Sequence, residues 1–95
     1  MAYLIISKDK KNKLNLRLNA REKHLKYLES FKSKLIMAGP IVSKTGDPCG
    51  SVIALNFDDR NAIDKFIKND PYNIVGLFDE VVVHKFKKVF LKKTL

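Results

Sequence analysis

The stretch Tyr3-Leu4-Ile5-Ile6-Ser7 decides the fold. It is apolar up to its last residue and contains two consecutive isoleucines, a composition typical of a β-strand. Because apolar side chains occupy both alternating sets of positions, the run predicts a central strand that is covered on each face. The polar run that follows it, from Lys8 to Lys13, predicts a loop.

An amphipathic helix is expected next. Asn19 precedes Glu22 by the spacing of a capping box, so we expect the helix to begin there. The following side chains recur at helical spacing and form one continuous face: His24, Leu28, Phe31 and Leu35. This pattern places His24 in the first turn, at the edge of the core.

The rest of the chain continues with strands and one more helix. Proline cannot donate to a sheet ladder, so Gly39-Pro40 predicts a bend in the second strand. Pro71 predicts the end of the second helix, because the residue before a proline disfavours helical geometry. The expected elements are a strand over residues 35–42, a turn over 43–50, a strand over 51–57, a helix capped by Asp58 or Asp59, and a strand over 80–90.

The order of these elements predicts an α+β protein with a ferredoxin-like βαββαβ fold, in which two helices cover one face of a four-stranded antiparallel sheet. The 95 residues fit one domain spanning 1–95, with a lysine-rich tail after Phe90 that we expect to fray. The other face of the sheet is apolar and uncovered, which is typical of an interface. We therefore expect a homodimer in which two sheets pack face to face.

The charge balance bears on the partners. The chain has 19 basic and 10 acidic residues and a formal net charge of +9, but its arginines are Arg17, Arg21 and Arg60 alone. Lysine lacks the planar fork with which arginine recognises phosphate, and the strands lack the aromatic platforms of RNA-recognition domains. We expect no specific nucleic-acid partner.

No apolar run reaches the roughly 18 residues that a membrane span needs, so no membrane association is expected. The N-terminus shows no basic leader and no cleavage site, and Cys49 is a single cysteine, so we expect a cytoplasmic protein. His24, His84 and Cys49 lack metal-ligand spacing, and there is no glycine-rich phosphate loop. We expect neither a metal nor a cofactor.

Several motifs, taken together and in this order, resemble the YCII-related family. The resemblance covers nearly the whole chain and rests on these segments: residues 17–25, Met37-Ala38-Gly39-Pro40, Gly50-Ser51, Asp70-Pro71-Tyr72 and residues 83–90. Two features depart from the family pattern: the turn over residues 43–50 is short, and His84 stands where we expect another basic residue.

The resemblance implies a dimeric α/β barrel, similar in fold to muconolactone isomerase. It also implies a small-molecule ligand, since a dehydrochlorinase of chlorinated hydroxyquinol breakdown belongs to the family. A histidine–aspartate pair is the proposed active site of the family, and the matching positions here are His24 and Asp70. Such a pair suits general acid/base chemistry by a lyase, an isomerase or a dehydrohalogenating enzyme.

Each candidate residue also has a purely structural interpretation. His24 can be a half-buried helix residue with satisfied hydrogen bonds, and Asp70 can simply cap the turn at Pro71. Ser51 and Tyr72 can offer hydroxyl donors to a pocket, or serve the backbone and the core.

Arg17 and Arg21 can attract an anionic substrate, or they can be solvated or paired with Glu22 or Asp70. Two functions therefore stay open: an acid/base enzyme without a cofactor, and a non-catalytic ligand-binding or dimeric interaction domain.

Overall fold

The computed structural model describes residues 1–92. Four strands form one sheet in the order β2-β3-β1-β4, and every neighbouring pair is antiparallel. The ferredoxin-like βαββαβ fold predicted from the sequence is confirmed, with one additional short helix before the last strand. The elements are β1 (Ala2–Asp9), α1 (Leu14–Ser30), β2 (Leu35–Val42), β3 (Pro48–Leu55), α2 (Arg60–Asn69), α3 (Pro71–Ile74) and β4 (Phe78–Phe86).

The register of the two central strands determines which side chains face the helices. Antiparallel partners share a sheet face, and the pairs Tyr3–Leu55, Ile5–Ile53 and Ser7–Ser51 are all buried. With Leu28 of α1 and Ile63 and Phe66 of α2, the apolar members of these pairs form the main core. The two serines extend the same buried face beyond the core, toward the cavity described below.

Helix α1 begins earlier than the capping-box spacing predicted. It starts at Leu14 after Lys13, which makes no side-chain cap, so the prediction of an N-cap at Asn19 is wrong. The polar run was also wrongly interpreted as all loop, since β1 continues to Asp9 and the turn follows at Asn12 with φ 60°. Asparagine tolerates this left-handed conformation better than most residues.

The longer helix changes the position of His24. It lies in the middle of α1 rather than in the first turn, on a buried face that also carries Arg17, Ala20 and Leu28. Phe31 and Leu35, which were expected on the same helical stripe, lie beyond the helix: Phe31 is its C-cap and Leu35 begins β2.

The second helix agrees with the sequence at both ends. The Asp59 carboxylate accepts the N–H of Asn61 at 2.8 Å, so Asp59 is the expected cap. Helix α2 ends at Asn69, directly before Asp70-Pro71. Strand β4 ends at Phe86 instead of Phe90, and the expected fraying of the tail falls partly on residues 93–95, which lie outside the described residues.

Strand β2 continues through Gly39-Pro40 without interruption. Its pairing with β3 is regular there, and the register shifts lie between Leu35 and Met37 and between Ile41 and Val42. Because β2 is an edge strand, it accommodates a proline without losing an interior ladder bond. Gly50 of β3 does need to be glycine: a Cβ atom there would collide with the carbonyl oxygen of Ser7.

The sheet face opposite the helices carries half-buried apolar side chains from neighbouring strands. Ile6 is the register partner of both Val52 and Val82, and Leu4 pairs with Ala54 next to them. No helix among residues 1–92 is long and apolar enough to cross a membrane.

Candidate active site

A cavity of about 240 Å³ lies between helix α1 and the helix-facing side of strands β2 and β3. Its lining comes from α1, β2 and β3, with Tyr72 as the contribution of α3. The polar and charged residues that line it are Arg17, Arg21, His24, Ser51 and Tyr72, and the apolar ones include Leu18, Leu25, Leu28, Pro40 and Ile53. Every site residue predicted from the sequence except Asp70 lines this cavity.

The structure brings His24 and Asp70 into contact. His24 Nδ1 lies 2.7 Å from Asp70 Oδ1, and both side chains are buried. An ionised carboxylate can only accept, so the Nδ1–H of His24 donates to it. This contact fixes the tautomer of the neutral imidazole and leaves Nε2 without its proton.

Asp70 is held by the backbone as well as by the histidine. It closes α2, opens α3 as its N-cap, and accepts the N–H of Tyr72 at 2.9 Å through the same Oδ1 atom. The structural interpretation of Asp70 as a cap is therefore correct, and it is compatible with the contact to His24.

The second ring nitrogen of His24 is Nε2. It makes no hydrogen bond in the part of the chain that the structure describes. Within those same residues no fully enclosed side-chain nitrogen or oxygen lacks a partner. Because His24 lines the cavity, Nε2 is the ring nitrogen that a molecule bound there can reach. A molecule in the cavity can exchange a proton with it.

Tyr72 orients the imidazole from its face. The two rings are stacked, with centroids 3.9 Å apart and an interplanar angle of 15°. Burial raises the pKa of the Tyr72 hydroxyl, while the charges of Arg17 and Arg21 oppose that rise. The hydroxyl thus stays protonated and able to donate at neutral pH.

Arg17 makes a buried ion pair with Asp9, a residue that the sequence analysis missed. Arg17 Nε and Nη2 donate to the two Asp9 carboxylate oxygens at 2.6 and 2.9 Å. Burial is the largest single influence and lowers the pKa of Arg17, but the hydrogen bonds and charge of Asp9, together with Tyr72, outweigh it and raise that pKa. The alternation of Tyr3, Ile5 and Ser7, continued by one step, is the signal that could have placed Asp9 on the buried face.

Arg17 also contacts two cavity residues. Its Nη2 donates to Ser51 Oγ at 2.8 Å, and its guanidinium carbon lies 4.5 Å from the centroid of the Tyr72 ring. The expected alternative partners of Arg17, Glu22 and Asp70, are not used; Glu22 forms an exposed pair with Lys26 at 3.7 Å.

Arg21 lies one turn further along α1, exposed at the cavity. Its side chain forms no ion pair with any residue in the range 1–92. The charges of the buried Arg17–Asp9 pair offset each other, and Arg21 supplies an exposed positive charge at this cavity.

The remaining candidates lie elsewhere. Cys49 is exposed on β3 rather than in a turn, and His84 is exposed on β4, on the side opposite the helices. Among the described residues, no three His, Cys, Asp or Glu side chains converge as metal ligands would.

The fold and the site together define a small ferredoxin-like α+β protein whose helix-covered sheet face holds a histidine–carboxylate contact beside a cavity. The chain belongs to the YCII-related family, whose domain model matches residues 1–87. This confirms the resemblance found in the sequence.

Curated relatives agree. Protein YciI of Escherichia coli is 34% identical over 98 residues, covering 95% of this chain and 100% of that protein. An uncharacterized protein of Haemophilus influenzae is 33% identical with the same coverage.

Solved structures extend the comparison. The 5-chloro-2-hydroxyhydroquinone dehydrochlorinase TftG of Burkholderia phenoliruptrix, in complex with 2,5-dihydroxybenzoquinone, matches with a TM-score of 0.86 and 30% identity, covering 92% of this chain and 94% of that chain. An antibiotic biosynthesis monooxygenase matches with a TM-score of 0.55 at 16% identity, covering 92% of this chain and 99% of that chain, and shares the fold alone.

Proposed function

We propose that this protein is a cofactor-independent enzyme in which His24, oriented by Asp70, is the general acid/base acting on a small anionic or cyclic organic molecule. One observation carries the proposal: Nδ1 of the buried imidazole contacts a carboxylate, while Nε2 has no hydrogen-bond partner within residues 1–92 and His24 lines a cavity. A base must be within reach of the substrate proton and hold the correct tautomer, and this arrangement supports both.

The proposed reaction is an elimination or an isomerisation. In an elimination, Nε2 takes a proton from a substrate carbon, the electron pair of that bond forms the new double bond, and the leaving group departs with its own bonding pair. Asp70 stabilises the imidazolium that results. The similarity to TftG, whose name states a dehydrochlorination, favours this class.

The cavity supports a small and negatively charged substrate. Its volume of about 240 Å³ is below the roughly 300–1,000 Å³ typical of sites for drug-sized ligands. Leu18, Leu25 and Ile53 offer apolar contact to a ring, and Arg21 supplies a positive charge at one side. Ser51 and Tyr72 are the proposed hydroxyl donors.

The test compares wild type with His24→Gln, and uses His84→Gln as the matched control at the other histidine of the chain. Binding of 2,5-dihydroxybenzoquinone is measured by titration, and chloride release from 5-chloro-2-hydroxyhydroquinone by ion chromatography. We expect the wild type and His84→Gln to bind the quinone and release chloride, and His24→Gln to bind it with turnover reduced roughly 10²–10⁴-fold.

Two results would contradict this proposal. Binding without turnover by the wild type would make the protein a ligand-binding domain. If the wild type neither binds the quinone nor releases chloride, hydroxylated quinones and chlorinated hydroquinones are not its ligands or substrates.

We also propose that the chain forms a homodimer through the sheet face that carries Leu4, Ile6, Val52 and Val82. These half-buried side chains form a contiguous apolar surface across three strands, and such surfaces are typical of interfaces. Sedimentation of the wild type should give twice the mass of one chain, and Ile6→Glu should shift it toward monomer. A monomeric wild type at micromolar concentration would refute this.

A further inference from the structure

Arg17 contacts two cavity residues, Tyr72 and Ser51, while its own charge is paired with Asp9. It is 3% exposed, and its Nε and Nη2 groups are committed to Asp9. A paired arginine–carboxylate contact of this kind is rigid, because the planar fork matches both carboxylate oxygens. The positive charge that is exposed at the cavity is that of Arg21.

The first residue that Arg17 orients is Tyr72. A guanidinium over an aromatic face is attracted by the ring quadrupole, and here the distance to the ring centroid is 4.5 Å. The Tyr72 ring in turn stacks on His24. The hydrogen bond to Asp70 acts on the imidazole at Nδ1, and the stacked ring limits its tilt.

Ser51 is the second residue. Its Oγ accepts from Arg17 Nη2 at 2.8 Å. A hydroxyl that accepts one hydrogen bond still has its own proton to donate, and Ser51 lines the cavity. The contact to Arg17 thus orients Ser51 as a donor toward a bound ligand.

We infer that Asp9 and Arg17 are positioning residues: Asp9 anchors the Arg17 guanidinium, and Arg17 orients the Tyr72 ring against His24 and the Ser51 hydroxyl toward the ligand. The catalytic meaning of this inference rests on the proposed function, but its geometric content does not. It assigns Asp9 a role in the site although Asp9 does not line the cavity.

The decisive variant is the double substitution Asp9→Leu with Arg17→Met. It removes the pair while leaving neither charge buried without its partner, and such apolar replacements are often tolerated. The matched control is Asp64→Leu with Arg60→Met, which removes the exposed pair on α2, joined at 3.0 Å and outside the cavity.

Two readouts separate positioning from stability. The NMR chemical shifts of the His24 ring depend on the stacked Tyr72 ring. We therefore expect these shifts to change in the Asp9/Arg17 double variant and to stay the same in the Asp64/Arg60 control. We expect kcat to fall roughly ten- to a hundredfold, as for a misplaced catalytic group, with binding of 2,5-dihydroxybenzoquinone changed much less.

A folded Asp9/Arg17 variant with wild-type His24 resonances would overturn the inference. If that variant does not fold, Arg17→Lys replaces it, because lysine keeps a positive charge beside Asp9 but lacks the planar fork. The same displacement of the His24 signals is then expected, and unchanged signals would again refute the role. If the wild type shows no turnover, the proposed function fails. The NMR chemical shifts of His24 then test by themselves whether Asp9 and Arg17 position the Tyr72 ring.

Discussion

His24 Nδ1 lies 2.7 Å from Oδ1 of Asp70, 46 residues away along the chain, and this contact joins the middle of α1 to the junction of α2 and α3. Because the same Oδ1 also accepts the Tyr72 N–H, the carboxylate cannot turn away from the histidine without uncapping α3. The proposed base is thus oriented by a group that has little freedom of its own.

Asp70→Asn is the substitution that separates the two roles of Asp70. Asparagine is as good an N-cap as aspartate, so we expect the free energy of unfolding to change by less than about 1 kcal/mol. The asparagine cannot stabilise an imidazolium, so turnover of 5-chloro-2-hydroxyhydroquinone should fall roughly a hundredfold or more. Asp79→Asn, at an exposed position of β4, is the control.

The nitrogen-15 shifts of His24 provide a second readout of Asp70→Asn. In the wild type they should report a proton on Nδ1 in the neutral ring, and in the variant a mixture of tautomers. Identical shifts in the two proteins would show that Asp70 does not determine the tautomer.

Arg21→Met tests the exposed positive charge at the cavity. Methionine keeps much of the apolar stem but removes the guanidinium, so binding of 2,5-dihydroxybenzoquinone should weaken by up to about tenfold at low salt. The loss should shrink at high ionic strength, because exposed charges are screened. Titrations at two salt concentrations measure this, with Lys23→Met on the same helix as the control. Equal affinities for wild type and Arg21→Met at low salt would remove Arg21 from the binding site.

Tyr27→Phe tests a contact at the end of α2. The Tyr27 hydroxyl donates to the carbonyl oxygen of Phe66 at 2.8 Å, in the last helical turn, where carbonyls lack helical partners. Loss of this hydrogen bond should destabilise the protein by about 1 kcal/mol at neutral pH.

The effect of Tyr27→Phe should also depend on pH. Burial, aided by the charge of Asp70, raises the pKa of Tyr27 from 10.0 to about 12. The folded protein therefore holds this proton more tightly than the unfolded chain, so the stabilisation is complete below about pH 10 and is lost as pH rises toward 12. Melting temperatures across that range should converge for wild type and variant, and a constant difference would contradict the assignment.

Gly50→Ala tests the close approach of β3 to β1. The new Cβ would collide with the Ser7 carbonyl oxygen, which belongs to the backbone and cannot rotate away. We expect a loss of about 1–3 kcal/mol in the free energy of unfolding. Gly39→Ala, in β2 with nothing near its Cβ position, should be close to neutral. Urea denaturation of both variants makes the comparison, and equal stabilities would contradict the contact.

The sheet could be predicted from the sequence because burial of one face imposes a period of two residues. The alternation of Ser51, Ile53 and Leu55 in β3 follows that period and is confirmed by burial. The end of β4 could not be predicted from its own composition. Phe86 is the last residue to pair because its partner, Ala2, begins β1, and that limit is set by another strand.

The predicted start of α1 was wrong for a similar reason. Asn19 and Glu22 have capping-box spacing but lie exposed within the helix, where residues three apart are neighbours in any case. The Asp9–Arg17 contact instead spans the turn between β1 and the helix. His24 and Asp70 were singled out by the family resemblance, whereas the link from Asp9 to Tyr72 depends on distances that no local pattern encodes.

The segment Asp70-Pro71-Tyr72 has a consequence for engineering this scaffold. Three consecutive residues provide the partner of the histidine, the proline that opens α3 and the ring stacked on the imidazole. Inserting or deleting one residue there would displace all three at once. The exposed hairpin turn at residues 43–47 lies outside the cavity lining but directly precedes Pro48, which lines the cavity. Loop-length libraries intended to reshape the cavity therefore belong there, while the 70–72 segment keeps its length.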